Sequence, residues 1–172
     1  MSESSALPVA WITLRILILL NWLFGAAILA LLTATIVAEQ WTFTALGIEP
    51  SFGMPSQIMG LRLIAALGLG AVLLSYVVLK RLRAIVETVR SGDPFVAANA
   101  TRLQAVAWAL LALQLLSLAI AGIGKAISTP AHPLHLDAGF SINGWLAVVL
   151  TFVLARVFAE GTLMREDLEG TV

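Results

Sequence analysis

Four long apolar runs separated by short polar stretches set the pattern of the chain, and their lengths decide its class. They cover about residues 8–38, 56–79, 103–127 and 142–158, and each reaches or nearly reaches the roughly 20 residues a helix needs to cross a hydrocarbon core. The pattern therefore predicts an all-α polytopic membrane protein whose four spans form one antiparallel bundle over residues 1–172. Beyond the second run, Leu79, Leu82, Ile85, Val86 and Val89 continue at helical spacing, with Lys80, Arg81, Arg83, Glu87 and Arg90 on the other face. A helix over 56–90 is about 50 Å long against a core of about 30 Å, so its end projects from the membrane. A third helix over 94–127 has nearly the same length, and the two projecting ends make a hairpin over 79–104. Its tip carries a stop and a restart: Gly92 closes one helix, Asp93 caps the next and Pro94 takes its first position.

Two other stretches break the apolar pattern. Residues 39–55 hold Gly47, Pro50, Gly53 and Pro55, which forbids one regular helix throughout, while Trp41, Phe43 and Phe52 suit an outer interface. Residues 128–140 form a proline-broken loop, after which Ser141 is placed to cap the fourth helix. Pro8 suits the start of the first helix, which carries Trp11 and Arg15 near its inner end. Inside the spans, the amides of Asn21 and Gln114 call for a partner helix, and Ala65, Ala66, Gly68, Gly70, Ala71 and Ser117 allow close packing. Such small-residue faces serve a monomer's core or the interface of a homo-oligomer equally well.

Composition supports the membrane reading. The chain is 60% hydrophobic and only 12% charged, with a mean hydropathy of +0.98, far from an ordinary soluble domain. The first run is too long for the apolar segment of a signal peptide and lacks a preceding basic residue, so it reads as a retained span. A formal net charge of zero gives no ground for direct nucleic-acid contact. Its distribution is more telling. Lys80, Arg81, Arg83, Arg90 and Arg102 fall in the hairpin, and Arg15, Arg156 and Arg165 fall at the same ends of the other spans, leaving Arg62 and Lys125 on the opposite side. By the positive-inside bias, the hairpin, both termini and the tail over 159–172 are cytoplasmic and the protein sits in a bacterial inner membrane.

The chemistry on offer is sparse. The chain lacks cysteine, which removes thiolate catalysis and thiolate metal sites. It has no phosphate-binding glycine motif, no HExxH, no GxSxG and no histidine within a span, so no enzyme, cofactor or metal is expected. His132, His135 and Asp137 have ligand chemistry, but a structural zinc site takes four ligands and only three are in view. Arg62 and Lys125, near the outer ends of their helices, are either interfacial anchors or the anion-binding groups of a small-molecule binding or transport protein. Arg156 and Glu160, four apart, share a helical face where the fourth helix leaves the membrane.

Two motifs carry a family resemblance. The run VRSGDPFVAANATRL, with Gly92, Asp93, Pro94, Phe95, Asn99, Arg102 and Leu103, and the ending RVFAEGTLMREDLEGTV, with Phe158, Glu160, Gly161, Glu166, Asp167, Thr171 and Val172, resemble a family of small bacterial four-helix membrane proteins of unknown function (domain of unknown function 2975). The resemblance spans the second helix to the end. It implies a multi-pass inner-membrane protein, often encoded beside a small Cro/CI-like helix-turn-helix regulator, and brings no biochemical activity with it. The functional expectation is a regulatory or sensory protein that binds such a partner through Asp93, Phe95, Asn99, Arg102, Arg156, Glu160, Glu166 and Asp167. Phe95 is expected to pack on Val86 and Val89, and Arg102 to face the acidic tail.

Overall fold

The computed structural model of the chain describes residues 6–45, 55–128 and 137–169, with side chains left undescribed at Ala6, Phe43, 55–56 and 166–169. Its elements, among the described residues, are all helical: α1 (Ala6–Val37), α2 (Glu39–Ala45), α3 (Pro55–Arg90), α4 (Ala97–Ile127) and α5 (Ile142–Glu169). Four of the five are long and apolar enough to cross a membrane, over Leu7–Val37, Gln57–Arg90, Ala97–Ile127 and Ile142–Arg165, as in a multi-pass membrane protein. Large apolar side chains such as Leu19, Phe24, Val149 and Val153 stay exposed, which is tolerable only where the solvent is itself apolar.

The ends of the helices follow from local chemistry. Gly92 adopts a left-handed φ of 87°. Its N–H donates to the Val89 carbonyl at 3.1 Å, and the next N–H, of Asp93, reaches back to the Thr88 carbonyl at 3.1 Å. These two bonds are the Schellman closure that satisfies the last carbonyls of a helix. Ser141 caps α5 as its sequence predicts, accepting the Gly144 N–H at 3.2 Å on Oγ. Two boundaries differ from the sequence reading. Residues 93–96 are not helical and α4 begins at Ala97, so Asp93 and Pro94 are linker rather than cap and first turn. The fourth helix does not give way to a loose tail near 158 but runs on to Glu169; Ala159, Glu160, Leu163, Met164 and Arg165 are strong helix formers that sustain it.

The chain divides into two compact units, to both of which α1, α3 and α4 contribute. The first comprises Met1–Asn21, Leu74–Leu113 and Ser141–Val172. Its core is centred on α4, where Leu103, Val106, Ala107 and Ala109 are buried, with Val148 and Ala155 of α5; Trp108 meets Phe152 edge to face at 5.2 Å between ring centroids.

The second unit comprises Trp22–Leu73 and Gln114–Phe140. Its closest approaches fall at glycines: a Cβ on Gly60 would lie 2.5 Å from Ile127 Cγ2, and one on Gly25 would lie 2.8 Å from Val72 Cγ1. The small residues Gly68 and Gly70, where sequence predicts intimate packing, leave ordinary contact distances of 3.6 and 3.8 Å. Polar side chains tie the helix ends of this unit to backbone. Gln57 Nε2 donates to the Ile127 carbonyl at 3.4 Å, Thr42 Oγ1 lies 3.0 and 2.8 Å from the Ala34 and Ala38 carbonyls, and Ser117 Oγ accepts the Gly139 N–H at 3.0 Å.

Candidate functional site

The residues of the two sequence motifs converge in the first unit, around the linker between α3 and α4 and the last turns of α5. Asn99 is at the centre of this region and is fully buried. A buried amide must place both its donors and its acceptor, and Asn99 does so with three elements. Its Nδ2 donates to Thr88 Oγ1 of α3 at 2.7 Å and to the Pro94 carbonyl of the linker at 2.9 Å, while Oδ1 accepts from Arg102 Nη1 at 2.8 Å. Arg102 Nη1 also donates to the Ala84 carbonyl on α3 at 3.2 Å. The pair stitches the start of α4 to the end of α3, so the described bonds of Arg102 serve this seam; the side chains of Glu166 and Asp167, its expected partners, lie outside the described residues.

The linker in turn meets α5. From the non-helical residues 93–96, Phe95 reaches across to stack on Phe158, with centroids 5.5 Å apart and an interplanar angle of 29°. Gly161 lies under the same ring, where a Cβ would come within 3.5 Å of Phe95 Cδ1. Phe95 thus packs on the α5 motif. Asp93 Oδ1 accepts a charged hydrogen bond from Arg165 Nη1. The two motifs touch through an acid on the linker and a base on α5. Arg165 was not among the expected site residues; its position one turn beyond Gly161, opposite an unneutralised Asp93, is the signal that could have found it.

The remaining expected residues are placed as follows. Arg156 Nε and Glu160 Oε1 form the predicted i,i+4 pair at 2.8 Å, and both side chains are largely exposed, at 78% and 56%. Glu166 and Asp167 lie on α5 with side chains outside the described residues. His132 and His135 also lie outside them; Asp137 is exposed, and the described residues contain no cluster suited to a metal. In the second unit Arg62 Nη2 pairs with Glu39 Oε2 at 2.8 Å and also donates to the Thr35 carbonyl, which ties α1, α2 and α3 together. Lys125 sits exposed in the last turn of α4.

Trp11 of α1 gathers three guanidinium groups over its ring: Arg15 at 4.5 Å, Arg83 at 5.3 Å and Arg90 at 5.7 Å from the centroid. Each lies within the roughly 6 Å range of a cation–π contact. No spacing rule within one helix predicts it, because two of the cations come from α3.

The family is settled by comparison. The chain belongs to the family described as "Protein of unknown function (DUF2975)", whose profile matches residues 39–172, from α2 through both motifs to the end. No curated protein and no solved structure matches the chain.

Proposed function

We propose that the chain is a regulatory inner-membrane protein with both termini and the α3–α4 linker in the cytoplasm, where the linker and the end of α5 together bind a soluble partner. The observation that carries this reading is the clamp itself. Phe95 on Phe158 and Asp93 on Arg165 join two motifs that are 72 residues apart at the ion pair, and they leave Phe95, Leu163 and Met164 exposed beside charged groups. Leu163 and Met164 stand about 32 Å along the α5 axis from Ile142, at or past the inner edge of a hydrocarbon core of about 30 Å. Exposed apolar side chains rimmed by charge mark a protein-binding patch. The cytoplasmic assignment is supported by eight of the ten basic residues falling at this end of the helices.

The partner favoured by the family resemblance is a helix-turn-helix transcription regulator, bound as a protein and not through its DNA. The test is recovery of a helix-turn-helix regulator from detergent-solubilised membranes carrying the tagged chain. Wild type should retain it, and Phe95→Ala combined with Leu163→Ser should lose it. Failure of the wild type to recover it would remove this reading.

A further inference from the structure

The polar end of the first unit holds a cavity that the clamp does not use. It has a volume of about 530 Å³, opens to the surface, and is lined by Trp11, Lys80, Arg83, Glu87, Thr88 and Arg102, with Ala84 at its wall. Its lining carries three cations against one carboxylate, and Glu87 is already shared with Arg90, at 3.5 Å. Among the described residues no carboxylate pairs with Lys80, Arg83 or Arg102. Thr88 is committed elsewhere, since its Oγ1 accepts from Asn99 and donates to the Ile85 carbonyl at 2.7 Å. Arg102 is committed only in part: both its bonds use Nη1, leaving Nε and Nη2 without a partner among the described residues. Beside the cavity, Arg15, Arg83 and Arg90 crowd one indole ring, which offsets part of their mutual repulsion but supplies no countercharge.

We infer that this cavity binds a phosphate-bearing anion. A tetrahedral phosphate offers several acceptor oxygens to two guanidinium forks and an ammonium, an arrangement these groups recognise well, and it would neutralise the excess charge that the described residues leave uncompensated. Either the headgroup of an anionic lipid or a free phosphate group in solution presents this chemistry. The site is independent of the partner proposed above and of which way the helices cross the membrane.

The test uses the full chain in a neutral detergent, with the unfolding midpoint followed as a function of added ligand. Phosphatidylglycerol, phosphatidylcholine and inorganic phosphate are titrated in separate arms. Phosphatidylglycerol or inorganic phosphate should raise the midpoint saturably, and phosphatidylcholine, whose phosphate is masked by an adjacent cation, much less. Lys80→Gln and Arg83→Gln should each weaken the apparent affinity by about five-fold. Arg81→Gln, the same charge change on an exposed side chain outside the cavity, should leave it unchanged, and Arg83→Lys should retain most of it. Response to phosphatidylglycerol alone identifies a headgroup site; an equal response to inorganic phosphate identifies a soluble phosphate group. Response to neither, or equal losses in Arg81→Gln and Arg83→Gln, would overturn the inference, the latter by showing only diffuse attraction. Should Arg83→Gln fail to fold, Lys80→Gln, altered at an exposed side chain, carries the same comparison.

Discussion

The two units bury their polar groups in opposite ways. In the first, side chain bonds to side chain: Thr88, Asn99 and Arg102 form a chain of bonds inside the unit, and Asp93 with Arg165 extends the pattern at its surface. In the second, apart from the Arg62–Glu39 ion pair, polar side chains reach backbone, as Gln57, Thr42 and Ser117 do, and the helices close on one another through Gly25 and Gly60. The difference teaches what each unit is built to tolerate. Backbone carbonyls are present whatever the sequence, so the second unit depends mostly on shape. Side-chain networks are lost when one member changes, so the first unit depends on the identity of a few residues, and all of these but Thr88 lie within the two motif runs.

Substitutions should therefore separate the units. Asn99→Ala strands Thr88, the Pro94 carbonyl and one bond of Arg102 in a buried site, and a loss of about 3 kcal/mol is expected, read as a lower unfolding midpoint in detergent; Asn99→Asp, which keeps only the acceptor, should not restore it. Gly60→Val drives a side chain into Ile127 and should cost about 2 kcal/mol in the same assay, whereas Gly70→Ala, with ordinary contact distances around it, should cost well under half of that. Arg62→Gln removes the Glu39 pair, whose partners are 27% and 45% exposed, and about 1 kcal/mol is expected. Asp93→Ala should cost only about 0.5 kcal/mol, but exchanging Asp93 and Arg165 should restore partner recovery lost in either single reversal. Arg156→Ala, at the most exposed pair, should leave stability unchanged within about 0.3 kcal/mol; a larger fall would mean that α5 docks through it.

What the sequence made legible were the properties that belong to one helix at a time. The four apolar runs, the left-handed stop at Gly92, the Ser141 cap and the Arg156–Glu160 pair all follow from spacing along a single element. What stayed hidden depends on the register between elements. Nothing along α1 announces that Trp11 will face Arg83 and Arg90, and no run of small residues singles out Gly25 and Gly60 over Gly68 and Gly70. The late start of α4 was hidden for a related reason. Asp93 and Pro94 form a favourable cap and first turn on local grounds, yet Asp93 bonds Arg165, Asn99 holds the Pro94 carbonyl and Phe95 stacks on Phe158; tertiary contacts outweigh the local preference. The clamp was foreseen as an encounter of two motifs, while its atoms were not.

The proposed partner can be reached only if the linker faces the cytoplasm, and the absence of native cysteine allows a direct test. Single cysteines at Ser91, beside the linker, and at Thr44, on α2, both exposed, are treated with a membrane-impermeant maleimide in intact cells and in inverted vesicles. Thr44→Cys should be labelled in cells and Ser91→Cys only in inverted vesicles. Labelling of Ser91→Cys in intact cells, with Thr44→Cys protected, would reverse the orientation and remove the cytoplasmic partner with it.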